Sequence, residues 1–135
     1  MSSNIEELPA PDFEIDHPDD YAQYFLGNPR EISFYLNLLV KRGSLVTAHI
    51  DDGKLFFLTA IVAVDGEKGE IFIDPAQAEG LNTAAGAARQ ITLVANLDRV
   101  KIQLRLTGLR ESQFDGRRAL STGIPATMLR LQRRE

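Results

Sequence analysis

The stretch Arg99-Val100-Lys101-Ile102-Gln103-Leu104-Arg105-Leu106 decides the fold class. Apolar and polar side chains alternate through it with a period of two, which predicts a β-strand with one face in the core. The opposite face is polar, and it is either a candidate interaction face or an ordinary solvated strand face. The side chains that form this face are Arg99, Lys101, Gln103 and Arg105.

Short runs rich in β-branched and aromatic residues surround this stretch, and turn residues separate them. Asp52-Gly53 and the segment 65–69 are short turns, so the strands that they join are expected to be antiparallel neighbours. Closure into a barrel would remove exposed strand edges. The sequence therefore predicts a mainly β fold, a small antiparallel split β-barrel of about six strands with one or two helices. Besides 99–106, the predicted strands are 44–50, 54–64, 70–74, 90–95 and 114–120.

Two helices are predicted between and before these strands. The first runs from about Arg30 to Arg42, with Asn28 as its N-cap and Gly43 just past its end. The second lies within the alanine-rich segment 75–89, with Asp74 as its cap, although Gly80 and Gly86 weaken it. Three predicted strands precede the second helix and three follow it, so it is expected to cross between two half-barrels.

Composition excludes several classes of protein. The 135 residues predict one domain, and the absence of cysteine excludes disulfides and thiolate metal sites. His17 and His49 are too few for a histidine-based metal or catalytic site, so neither an enzyme nor a metal site is expected. The net charge of −4 argues against broad binding of nucleic acid or anionic membranes. No secretion signal and no apolar run of about 20 residues occurs, so a cytoplasmic domain without membrane insertion is expected.

Charge is distributed unevenly along the chain. Residues 1–20 are acidic and proline-rich, which predicts a disordered lead-in, and residues 21–129 are expected to form the folded domain. Arg133 and Arg134 stand just before the last residue, Glu135, and their planar guanidinium groups suit bidentate contact with phosphate and stacking on a base. An exposed polar tail is the alternative for such a pair. Its position beyond the predicted core favours a domain that continues into something longer.

Six segments of the sequence together carry a resemblance to a known family: Asn28-Pro29-Arg30-Glu31-Ile32, Arg42-Gly43, Phe56-Phe57-Leu58-Thr59, Val64-Asp65, Leu97-Asp98-Arg99-Val100-Lys101-Ile102-Gln103 and Leu129-Arg130-Leu131-Gln132-Arg133-Arg134-Glu135. From about Tyr21 to Glu135 the chain resembles the N-terminal domain of YcgR-type flagellar brake proteins. Each matching segment is weakly specific alone, but together they follow the order and spacing of the family. One departure is Arg99, where the family often has a small residue such as glycine.

This resemblance implies a split β-barrel followed directly by a PilZ domain. The junction in that family carries an R-x-x-x-R motif that wraps cyclic di-GMP. Arg134 matches the first arginine of the motif and Arg133 the arginine often found before it, so residues 130–135 would begin the junction. The second motif arginine would fall four residues after Arg134, beyond this chain.

The resemblance also implies a function and partners. Cyclic di-GMP would be the regulatory ligand of the full-length protein, with no other cofactor, and the reoriented protein would bind flagellar motor switch or stator proteins and slow rotation. The expected location is the cytoplasm, at the flagellar basal body. Two other classes stay open from the residues themselves, a flavin-binding split barrel and a stand-alone protein-interaction adaptor.

Overall fold

The computed structural model describes residues 9–132, and these residues form two antiparallel sheets and two α-helices. The helices are α1 (Pro29–Arg42) and α2 (Glu79–Ala87). The strands are β1 (Phe25–Leu26), β2 (Val46–Ile50), β3 (Leu55–Thr59), β4 (Ile61–Asp65), β5 (Glu70–Ile73), β6 (Ile91–Leu97), β7 (Val100–Leu106), β8 (Arg110–Phe114), β9 (Arg117–Gly123) and β10 (Met128–Gln132).

The larger sheet has six strands in the order β1-β10-β7-β6-β2-β3, and the smaller has four in the order β4-β5-β9-β8. The segment 54–64, predicted as one strand, is two strands separated by Ala60. The chain breaks there because β3 pairs with β2 in one sheet and β4 pairs with β5 in the other. The described strands form these two sheets and no closed ring. The mainly antiparallel architecture with two helices is therefore confirmed, whereas closure into a barrel is not.

Helix α1 begins and ends where the sequence predicts. The Asn28 side chain accepts a hydrogen bond from the Arg30 amide at 2.9 Å, and Pro29 occupies the first turn, where its missing N–H costs nothing. Gly43 adopts a left-handed conformation with φ 58° and ends the helix. The apolar stripe of α1 packs into the main core against the sheets, and its buried side chains are Ile32, Leu36 and Leu39.

Helix α2 begins later than predicted, at Glu79 instead of Pro75. The preceding loop is held by the buried Asn82, whose Oδ1 accepts from the Ala76 amide at 2.7 Å and whose Nδ2 donates to the Ala76 carbonyl at 2.9 Å. These bonds hold the loop in a non-helical path to α2. The helix connects β5 in the smaller sheet to β6 in the larger one, as a crossing between two halves requires.

The C-terminal third contains more strands than predicted. The segment 114–120 is not one strand, because Asp115 and Gly116 have positive φ angles and turn the chain between β8 and β9. Strand β8 escaped prediction since its sequence RESQF is polar and mostly exposed. Strand β10 lies between β1 and β7, so residues 130–132 belong to the sheet as well as leading to the predicted junction.

Residues 9–20 differ from the expected disordered lead-in. Phe13 is buried, and Glu14–Asp16 form a short 3-10 helix against β7. We call residues 9–20 the N-terminal strap. Its order comes from contacts with residues far along the chain, and acidic, proline-rich composition carries no information about those contacts.

Candidate functional site

The outer face of the larger sheet carries most of the sequence-predicted interaction face. His49, Thr92 and Arg105 lie opposite one another on β2, β6 and β7. On β7, Lys101 and Gln103 follow on this same face, whereas Ile102 and Leu104 point into the core. The alternation predicted for β7 is therefore present.

This face is covered by the N-terminal strap. Glu14 receives hydrogen bonds from Lys101 Nζ at 3.0 and 3.1 Å and from Gln103 Nε2 at 2.8 Å. The Ile15 amide donates to Gln103 Oε1 at 2.8 Å. Gln103 is only 1% exposed as a result, so it is not available on the surface. The central part of the predicted interaction face is therefore an internal contact with the strap. It is neither solvated nor open for docking.

Arg105 completes the contact with the strap. Its Nη2 donates to Asp16 Oδ1 at 2.7 Å, and its other nitrogens donate to Thr92 Oγ1 at 3.1 Å and Gln90 Oε1 at 3.2 Å. Arg99, in contrast, is exposed in the turn between β6 and β7. The four predicted residues therefore divide into three beneath the strap and one outside it.

An aromatic contact anchors the other end of the strap. The centroid of the Phe13 ring lies 4.9 Å from that of the His49 ring. The centroid of the His49 ring lies 5.4 Å from that of the Phe56 ring on β3. Gly53 approaches the strap so closely that a Cβ there would meet Pro11 and Phe13 at 3.0 to 3.1 Å. His49 is thus a packing residue in this arrangement. Within residues 9–132, no three His, Asp or Glu side chains gather as a metal site.

The charge on Glu14 is stabilised in this contact. Burial acts to raise the pKa of Glu14, but its backbone hydrogen bond and the hydrogen bonds and charge of Lys101 outweigh burial and hold the pKa below the ordinary 4.5. A carboxyl group whose folded pKa is lowered contributes stability above its unfolded pKa and loses it as pH falls through the folded pKa.

We expect Glu14→Gln to lower the free energy of unfolding by about 1 kcal/mol near neutral pH, because Lys101 loses its anionic partner. The difference in the free energy of unfolding between the variant and the unsubstituted chain should shrink as pH falls below 4.5, the ordinary pKa of the carboxyl group. Urea unfolding across this pH range measures it. Glu67→Gln, in an exposed turn, is the matched control and should change little at any pH. A loss for Glu14→Gln that does not depend on pH would contradict the assignment.

The predicted nucleotide-binding pair, Arg133 and Arg134, lies outside the described residues. Strand β10 pairs with β7 as far as Gln132, which is registered with Val100. The pair therefore comes directly after a strand whose last three residues pair, among the described strands, with β7 alone. Arg130 on β10, which sequence reasoning did not single out as a site residue, lies half-buried near this end, and its guanidinium stacks on Tyr35 of α1.

The described residues form a small, mainly antiparallel β domain with two helices. The family model described as "Flagellar regulator YcgR, PilZN domain" matches residues 24–130. The chain belongs to this family.

Curated relatives agree with this assignment. Over all 135 residues the chain is 67% identical to the flagellar brake protein YcgR 1 of Dechloromonas aromatica and 41% identical to the flagellar brake protein YcgR of Thauera aminoaromatica. It covers 51% of each of these proteins. The chain thus spans about half the length of the curated relatives it matches.

Solved structures share the fold. The crystal structure of Escherichia coli YcgR in complex with c-di-GMP matches with a TM-score of 0.78 at 22% identity, over 85% of this chain and 49% of that one. The YcgR-N domain from the same organism matches with a TM-score of 0.73 at 20% identity, over 81% of this chain and 96% of that one.

No helix among residues 9–132 is long and apolar enough to span a membrane.

Proposed function

We propose that this chain is the N-terminal regulatory domain of a cyclic di-GMP-binding flagellar brake protein and contributes the first arginines of an R-x-x-x-R junction, Arg133 and Arg134. The family match carries the proposal, and the length of the chain and the position of the arginine pair support it. The chain belongs to the YcgR family, spans about half of its curated relatives, and has an arginine pair directly after its last described strand. A PilZ domain would follow the pair and complete the nucleotide site.

The chemistry of the pair fits this ligand. Cyclic di-GMP carries two phosphates and two purines, and a guanidinium group can donate two parallel hydrogen bonds to phosphate or stack on a base. Arginines on a junction between two domains would become ordered when they bind the nucleotide. This ordering would fix the orientation of the two domains and convert ligand binding into a rigid-body change. The role is regulatory and involves no catalysis.

The output of that change would be binding to a flagellar motor switch or stator protein in the cytoplasm, at the basal body. Lys101, Gln103 and Arg105 lie beneath the strap. A partner would therefore meet this side of the domain through the outer surface of the strap and the exposed Arg99.

Calorimetric titration with cyclic di-GMP tests the ligand. The chain alone should bind weakly or not at all, and the same protein extended through the PilZ domain should bind tightly, since the site is completed downstream of Arg134. Tight binding to both forms would place a complete site inside this domain and contradict the split site. No binding to either form would leave Arg133-Arg134 as a solvated tail and favour an adaptor.

A further inference from the structure

A polar cavity of about 370 Å³ lies beside the C-terminal end of β10. Gln23 and Tyr24, which precede β1, line one side, and Arg130 and Gln132 of β10 line the other. All four side chains end in hydrogen-bonding groups. The volume falls in the range of small-molecule sites, roughly 300–1,000 Å³.

Arg130 is the only cation among these lining residues, and its guanidinium is incompletely satisfied. Its Nε is buried and has no hydrogen-bond partner among residues 9–132. The guanidinium carbon lies 5.5 Å from the centroid of the Tyr35 ring, so aromatic stacking holds the group in place. Stacking does not replace a hydrogen-bond acceptor for a buried N–H.

The other half-buried cations of the same sheet are paired. Arg105 has Asp16 at 2.7 Å, and Lys101 has Glu14 at 3.0 Å. Arg130 belongs to the same sheet, but no ion pair to a described carboxylate is formed at its guanidinium. A half-buried cation held by an aromatic ring beside a polar cavity is suited to an anionic oxygen ligand.

We propose that Arg130, supported by Tyr35, binds a phosphate oxygen of the cyclic dinucleotide in the full-length protein, as a contact separate from Arg133 and Arg134. This inference rests on the proposed function. Arg130 and Arg134 are four residues apart, so an extended chain separates their Cα atoms by up to about 13 Å. A ligand with two phosphates can engage both positions, whereas a single phosphate ion can occupy one.

The ligand-binding experiment compares variants in the protein extended through the PilZ domain. Arg130→Gln should weaken cyclic di-GMP binding about tenfold or more, because one charge-assisted hydrogen bond is lost. Arg130→Lys should keep part of the affinity, since the charge remains and the planar fork is lost. Arg110→Gln, on the other sheet, is the matched control and should bind as the unsubstituted protein does. Inorganic phosphate should compete only weakly.

A second measurement separates ligand contact from a role in folding. The Nε–H resonance of Arg130 in the unsubstituted extended protein should shift when cyclic di-GMP is added, and thermal unfolding without nucleotide should be similar for Arg130→Gln and the control. An unmoved resonance would overturn the proposal even if Arg130→Gln folds poorly. Unchanged affinity with lower stability would instead assign Arg130 to packing against Tyr35 alone, and would also overturn the proposal.

The two proposals fail in different ways. If the unsubstituted extended protein binds and Arg134→Ala abolishes binding while Arg130→Gln does not weaken it, only the Arg130 contact is wrong. If the unsubstituted extended protein does not bind cyclic di-GMP, the proposed function fails and the Arg130 contact fails with it.

Discussion

Phe13→Ala is expected to lower the free energy of unfolding by about 2–3 kcal/mol, the cost of returning one buried phenyl ring to water. Phe13 is only 7% exposed and packs against His49 and the backbone near Gly53. The strap packs on the larger sheet and contributes no strand to either sheet. The loss is therefore limited to what docking of the strap contributes, and the fold should survive.

Urea unfolding measures this loss, and cleavage by a glutamate-specific protease reports detachment of the strap. Cleavage at Glu14 should be slow in the unsubstituted chain and much faster in Phe13→Ala, because the Glu14 side chain is held by Lys101 and Gln103. Phe34→Ala is the matched control, since Phe34 is 60% exposed on α1. It should change stability by no more than about 0.5 kcal/mol. If Phe13→Ala lowers the free energy of unfolding no more than Phe34→Ala does, packing of Phe13 contributes nothing to stability.

Much of the fold follows from local patterns. Helix α1 is predictable within one residue because its cap, its apolar stripe and its terminal glycine all lie within the segment itself. Strand β7 is predictable because its alternation reports one buried face directly. The same pattern says nothing about what covers the other face. A polar strand face looks identical whether water or an acidic segment lies against it.

The features that escaped prediction depend on distant partners. Glu14 meets Lys101 across 87 positions of sequence, so a reading of the acidic segment by itself favours disorder. The break at Ala60 arises because the chain changes sheets, which a continuous apolar run does not reveal. Strand β8 is specified by its pairing with β9 and not by burial.

The candidate site shows the same division. An adjacent arginine pair near the end of the chain is visible in the sequence and points to anionic ligands. Arg130 resembles any outward residue of a strand until the structure places Tyr35 against it and leaves its Nε without an acceptor. Burial and unsatisfied hydrogen bonding belong to the folded state, so no local signal could have indicated Arg130.

Arg134→Ala in the protein extended through the PilZ domain is expected to weaken cyclic di-GMP binding by about 100-fold or more. The truncation removes the charge, the planar donor fork and the stacking surface together, and the alanine side chain replaces none of them. The contact with the nucleotide exists only in the bound state, so its loss should leave the free energy of unfolding without nucleotide unchanged. Affinity should fall without a change in stability.

Calorimetry with cyclic di-GMP measures the affinity, and urea unfolding without nucleotide measures the stability. Arg110→Ala is the matched control, because Arg110 is an exposed arginine that pairs with Glu70 in the smaller sheet. Its exposed ion pair is worth about 1 kcal/mol at most, and its affinity for the nucleotide should be unchanged. If Arg134→Ala and Arg110→Ala bind cyclic di-GMP equally tightly, Arg134 is not the first arginine of a binding motif, and any contact from this chain would have to come from Arg133 or Arg130.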